Sequence, residues 1–149
     1  MGASRTTLTK QELAFINNQR VARLATSDAA GHPTAVPVCF ACDGARFFIA
    51  LDEKPKSVDA HKLKRVRNIE ARHEASLLID HYSDDWSQLA YILIHGQAEI
   101  ISPGHPLHAH ALALVRARYP QYRSMKLEVL PVIMVTPRQV SAWGPGLAQ

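Results

Sequence analysis

Hydrophobic and polar positions along this chain alternate with two periods, and the pattern divides it into nine elements. Residues 9–20 carry Leu13, Phe15 and Ile16 as a helical stripe behind Thr9 and Glu12, whose spacing is that of a capping box. Residues 21–27 and 34–42 read as strands joined by a turn at 28–32 that contains Gly31. Asp43-Gly44 is a hairpin signal, because glycine tolerates positive φ, and a third strand follows over 45–51. Lys54-Pro55-Lys56-Ser57 ends that strand and opens a helix reaching about residue 70. Strands are expected at 75–82 and 89–101, separated by a polar loop, with a bend or bulge at Gly96. Pro103 and Pro106 lead into a helix over 107–118 that stops before Pro120. Leu112, Val115 and Tyr119 stand at helical spacing and face a core. The last strand covers 130–143, with Pro137 as a point of interruption, and Trp143 anchors an otherwise mobile tail.

Six strands linked partly by tight hairpins make an antiparallel sheet, and rolling it into a barrel removes its edges. The expectation is a mainly β, α+β fold in a single domain over 1–149, since 149 residues suit one domain. A hydrophobic share of 47% argues against disorder. Apolar runs such as 89–94 fall far short of the roughly 20 residues that span a bilayer. The start MGASRTTLTKQEL lacks a signal-peptide stretch, so a cytoplasmic protein without membrane association is expected. Two cysteines make no disulfide scaffold.

Charge adds one feature. The net charge is +4, and residues 53–72 hold seven basic against three acidic side chains. On a helix over 57–70, Ser57, His61, Lys64, Arg65 and Asn68 share an arc of roughly 100°. Val58, Val66 and Ile69 form a neighbouring apolar arc. Free N–H groups near Lys56 and Ser57 would suit a phosphate. The stripe reads equally well as a solvated face. Aromatic residues are not interleaved with it, so nucleic acid is not an expected partner.

Cys39 and Cys42 lie in an expected strand, where positions three apart point to opposite faces, and read as small apolar fillers. His108 and His110 would stand 200° apart on a helix, so with His105 they read as a surface helix entry and no metal site. His81 reads as a hydrogen-bonded strand-end residue, with a proton-donor role as the alternative. Trp86 could stack on a ring or anchor a loop or interface. No side-chain nucleophile stands out.

One ordered set of segments goes further. It comprises Ala22-Arg23-Leu24-Ala25-Thr26, Gly31-His32-Pro33 before Val36-Pro37-Val38-Cys39-Phe40, Lys54-Pro55-Lys56-Ser57 and Arg67-Asn68-Ile69. It continues with Leu77-Leu78-Ile79-Asp80-His81-Tyr82, Asp84-Asp85-Trp86-Ser87 and Gly96-Gln97-Ala98. Together these resemble the flavin-binding split β-barrel family of pyridoxamine 5′-phosphate oxidase, and most of all its branch of deazaflavin-dependent oxidoreductases. The resemblance implies a six-stranded split barrel with flanking helices, and a homodimer with cofactor sites at the interface. It implies deazaflavin F-420 or FMN as cofactor, with Val36, Pro37 and Val38 bordering the ring. Lys54, Lys56, Ser57, Arg65 and Asn68 would serve the phosphate, and Trp86 would lie near the cofactor, from its own or the partner subunit. Tyr82 and Asp80 are further candidates. Lys54-Pro55-Lys56-Ser57 stands where the vitamin B6 enzymes carry Ser-Arg-Lys, so that synthesis is not implied. The expected activity is hydride transfer to a small unsaturated or aromatic substrate, the cofactor doing the redox chemistry. A second expectation, from another class, is a non-catalytic flavin, deazaflavin or tetrapyrrole binding or carrier protein.

Overall fold

The computed structural model describes residues 5–52 and 59–148. Helix α1 (Lys10–Asn17) starts behind Thr9, whose hydroxyl accepts the Glu12 N–H at 3.1 Å. The Glu12 carboxylate in turn accepts the Thr9 N–H at 2.9 Å, so the expected capping box is formed. Arg5 pairs with that carboxylate at 2.6 Å, and the Arg5 carbonyl accepts the Val140 N–H at 2.8 Å. Burial alone would raise the Glu12 pKa, but Arg5 and the Thr9 N–H outweigh it and hold the carboxyl below its ordinary 4.5. A carboxyl depressed in the folded state stabilises above its unfolded pKa, and that stability is lost as pH falls through the folded value. Glu12→Gln is therefore expected to flatten the decline in melting temperature below about pH 4.5. Melts of both proteins between roughly pH 3 and 7 check this, and parallel acid limbs would contradict it.

Seven strands follow: β1 (Ala22–Ser27), β2 (Pro33–Val38), β3 (Ala41–Cys42), β4 (Phe47–Ala50), β5 (Glu74–His81), β6 (Ala90–Ile101) and β7 (Val132–Trp143). Helix α2 (Lys64–Arg72) precedes β5, and α3 (His108–Arg118) precedes β7. The strands form one antiparallel sheet in the order β2-β1-β5-β6-β7-β4-β3. Its two edge strands are consecutive in sequence, with only Cys39 and Phe40 between them. A seven-stranded sheet whose ends are joined by two residues must curl, and the barrel's seam runs through Phe40. The expected split barrel is formed, with seven strands instead of six because the strand expected over 34–42 breaks at this seam. The physical cause is Tyr119. Its hydroxyl accepts the Phe40 N–H at 3.1 Å and lies 2.9 Å from the Phe40 carbonyl oxygen, satisfying backbone groups that have left the ladder.

Inside the barrel, Leu24, Leu77, Ile79, Ile92 and Ile94 pack with Ile16 of α1 and with Val66 and Ile69 of α2. A second cluster lies outside β4 and the first half of β7, where Leu112 and Val115 of α3 meet Phe48, Met134, Tyr119 and Tyr122. Cys42 packs against the first cluster and Cys39 against the second, on opposite sides as expected. Strand β7 continues through Pro137, which faces Gly96, because Arg138 is the extra residue of a bulge there. A Cβ on Gly96 would sit 2.6 Å from the Thr136 carbonyl oxygen, so only glycine fits.

Three other expectations are corrected. The helix expected over 57–70 starts later. A 3-10 turn (Ala60–Lys62) is capped by Asp59, then Leu63 is extended and packs against the inner core, and α2 begins only at Lys64. His61 is thus off the helix that carries Lys64, Arg65 and Asn68, while Ser57 and Val58 lie outside the described residues. His108 is buried, not part of a surface entry, and donates from Nε2 to the Leu130 carbonyl at 2.7 Å. The tail is docked, and Trp143, tilted against the Tyr91 ring at 6.0 Å, remains exposed; the partly buried Leu147 packs against the inner core instead. Among the described residues no helix is long and apolar enough to cross a membrane.

Candidate functional site

Among the described residues strand β2 pairs only with β1, so one side of its backbone is open there. Val36 and Val38 stand opposite Leu24 and Ala22 on the inner face, and Pro37 stands opposite Arg23 on the outer face. The three expected ring-bordering residues therefore do not share a face; only Pro37 faces outward, where it is exposed.

Helix α2 is joined to the same end of the barrel by one buried hydrogen bond. Asn68 Nδ2 donates to Thr26 Oγ1 at 3.0 Å, and Thr26 faces Thr34 of β2. Asn68 is itself buried, so its amide is occupied in holding α2 to β1. One turn earlier lies Arg65, which is half-buried. Its Nε is sealed from solvent and has no hydrogen-bond partner among the described residues. A buried guanidinium N–H without an acceptor is costly and uncommon in a native fold, and an anion oxygen reaches it only if the Arg65 side chain shifts to expose it. With Lys64 and Arg67 on the same helix, the charge present fits a phosphate-bearing group. Lys54, Lys56 and Ser57, the other expected phosphate contacts, lie outside the described residues.

A second face of α2 borders an open cleft of about 450 Å³, lined by Lys64, Arg67, Asn68 and Ala71 and by the turn Asp28, Ala29 and Ala30. Asp28 accepts the backbone N–H groups of His32 and Ala30, both at 2.9 Å, and its side chain also meets the His32 ring. These bonds, the His32 N–H foremost, hold its pKa below the ordinary value. The cleft's acid is thereby bound into its own turn, while Arg72 donates to the Asp28 carbonyl at 3.3 Å.

Trp86 is 70% exposed on a 3-10 turn, Trp86–Gln88, between β5 and β6. Tyr82 beside it donates to Asp84 at 3.1 Å, and Asp80 pairs with Arg23 at 3.0 Å. His81 is exposed at the end of β5. Among the described residues no group of His, Cys, Asp and Glu is placed to hold a metal ion. Burial pushes the Cys42 thiol up to about 11, which makes it a poor nucleophile at neutral pH.

The sequence pattern did not reveal one surface. Strand register lines up Pro37, Arg23, Leu78, Leu93 and Ser141 in a row across five strands, with Asp80, Tyr91 and Trp143 in a neighbouring row. All point away from the barrel interior. Tyr91, Leu93 and Trp143 are 38%, 39% and 53% exposed, an apolar band that no element among the described residues covers. Its signal was the run of apolar residues at both parities of β6, where a half-buried strand would alternate.

A family profile described as pyridoxamine 5′-phosphate oxidase matches residues 8–144. A 5a,11a-dehydrotetracycline/5a,11a-dehydrooxytetracycline reductase from Streptomyces rimosus is 26% identical over 137 residues, covering 91% of this chain and 82% of the reductase. Among solved structures, the haem storage protein HutZ from Vibrio cholerae superposes with a TM-score of 0.69 at 15% identity, covering 93% of this chain and 94% of HutZ. A FAD-binding protein from Mesorhizobium loti gives 0.64 at 21% identity, covering 91% of this chain and 94% of that one. At these identities the two structures are similar in fold.

Proposed function

The chain belongs to the pyridoxamine 5′-phosphate oxidase family, and from that premise we propose that it is an oxidoreductase using deazaflavin F-420 or FMN. The family and the reductase relative support oxidoreductase chemistry, and the buried Arg65 Nε, without a partner among the described residues, supports assigning the cofactor's phosphate to α2. When bound, the reduced cofactor supplies hydride equivalents to an unsaturated or aromatic substrate. Arg65 would hold the phosphate, with Lys54, Lys56 and Ser57 as its further contacts, while Asn68 holds α2 in register against Thr26. Pro37 and the open edge of β2 would border the ring, and Trp86 would lie against it. The reductase relative acts on a dehydrotetracycline, which supports a conjugated, carbonyl-bearing carbon–carbon double bond as the acceptor. Anaerobic mixing of protein with pre-reduced FMN or F-420 and a conjugated enone tests the reading. Protein-dependent reoxidation with stoichiometric loss of the enone chromophore is expected; bound cofactor that stays reduced would indicate a carrier.

The protein acts as a homodimer through the outer sheet face. An uncovered band containing Tyr91, Leu93 and Trp143 supports this, with Arg23 and Asp80 already neutralising each other within it. A charge at its centre cannot be buried unpaired. Leu93→Arg is expected to halve the mass measured by light scattering at micromolar concentration and to weaken FMN binding. An unchanged mass would contradict the interface.

A further inference from the structure

The loop that carries Trp86 is fastened on its underside while its indole stands free. Asp85 accepts the Ser87 N–H at 3.1 Å and the Ser87 hydroxyl at 2.7 Å. The Asp85 N–H in turn donates to Ser83 Oγ at 3.1 Å. Beneath this loop runs the C-terminal turn Pro145–Ala148, which packs between it and α1. Gly146 donates its N–H to the Leu89 carbonyl at 2.9 Å, and Leu147 donates to the Gly144 carbonyl at 3.2 Å. Leu147 packs against the inner core.

Both glycines are dictated by this contact. A Cβ on Gly146 would lie 2.6 Å from the Gln88 carbonyl oxygen, and one on Gly144 would lie 2.2 Å from the Leu89 carbonyl oxygen. The obstructing atoms are backbone and cannot swing aside. Gly144 also has φ +131°, a conformation that glycine alone adopts freely. Two tightly constrained positions and a core-anchored leucine thus fix a loop whose tryptophan side chain is 70% exposed. Such rigidity is not needed for the indole's own packing, since it has almost none. It is what a preorganised stacking surface requires.

We propose that residues 144–147 form a strap that positions Trp86 against the cofactor's flat ring, with Gly144, Gly146 and Leu147 as positioning residues. This rests on the placement of Trp86 at the cofactor under Proposed function. The test uses Trp143→Phe protein, in which Trp86 is the sole tryptophan. Gly146→Ala places a methyl group against the Gln88 carbonyl, and Leu147→Ala removes the anchor without any clash. Far-UV circular dichroism confirms that each variant is folded. Time-resolved anisotropy of Trp86, without ligand, is expected to show at least twice the amplitude of nanosecond motion in both variants. The Kd for FMN or F-420 is expected to rise three- to tenfold. In Trp86→Ala protein the strap substitutions should add no further loss, a result that general destabilisation would not give. Unchanged anisotropy in both variants overturns the strap, whether or not cofactor binds. Increased motion with cofactor affinity unchanged in the strap variants and in Trp86→Ala overturns the role of Trp86 at the cofactor and leaves the strap's mechanical link established.

Discussion

Replacing Arg65 with alanine is expected to weaken binding of FMN or F-420 by about 10- to 100-fold, with little change in melting temperature. The magnitude follows from the roughly 1.5–3 kcal/mol associated with a hydrogen bond to a charged group. The direction follows from burial. Arg65 Nε is sealed from solvent and has no acceptor among the described residues, so in the ligand-free protein it contributes desolvation cost without a compensating bond. Removing the guanidinium relieves that cost in the free protein and deletes the contact in the bound one. Arg65→Lys retains the charge but not the flat, multi-donor geometry, and should recover only part of the affinity. Lys64→Ala is the internal control. Lys64 lies next to Arg65, but it is exposed and sits 3.9 Å from Asp28 on the cleft face. Its loss should change affinity by a few-fold at most and mainly at low salt. Equal effects from the two positions would place the phosphate elsewhere on the helix. Isothermal titration of the three variants separates these outcomes.

The largest effect on stability is expected from Tyr119→Phe, which deletes one oxygen and leaves the ring. That oxygen accepts the Phe40 N–H at 3.1 Å and Arg118 Nε–H at 3.2 Å, and its proton can go to either the Arg20 or the Phe40 carbonyl, each at 2.9 Å. The hydroxyl's bonding capacity is therefore filled. The ring is covered by the Arg20 guanidinium, 4.7 Å from its centroid, and Arg118 lies 4.9 Å over the Phe40 ring. Without the oxygen a buried backbone N–H at the barrel seam loses its partner, at a cost of about 2–3 kcal/mol. For a domain of this size that corresponds to a fall of roughly 5–10 °C in melting temperature. Hydrogen exchange at the Phe40 amide should accelerate more than at the amides of β6, because the seam opens before the centre of the sheet does. A melting temperature within about 1 °C of the parent would show that the seam is held by something other than this hydroxyl.

Features set by neighbouring residues were readable from the sequence, and features set by distant ones were not. The capping box needs only Thr9 and Glu12, and the turn at Asp43-Gly44 needs only a glycine that reaches φ +98°. The bulge at Gly96 was also marked, since a glycine inside a long strand has few other uses. By contrast, the seam at Phe40 depends on Tyr119, 79 residues away, and without it residues 34–42 look like one strand. His108 is buried because the Leu130 carbonyl, 22 residues on, accepts its ring N–H. The late start of α2 follows from Leu63 turning inward to the core, which a basic stripe at helical spacing conceals. At the candidate site, the sequence placed Arg65 and Asn68 on one helix, and both lie on α2. It could not show that Asn68 is committed to Thr26 while Arg65 Nε has no partner among the described residues. Nor could it split Val36 and Val38 from Pro37, because strand register decides which of them faces outward.

The proposed function requires that this barrel hold the charged tail of a redox-active flavin. A spectroscopic titration of the purified protein with FMN, F-420 and haem in parallel addresses that directly. Saturable binding of FMN or F-420, one per protomer, weakened about 10- to 100-fold by Arg65→Ala, is the predicted result. A Soret shift with haem, and no saturable change with either flavin, would contradict it.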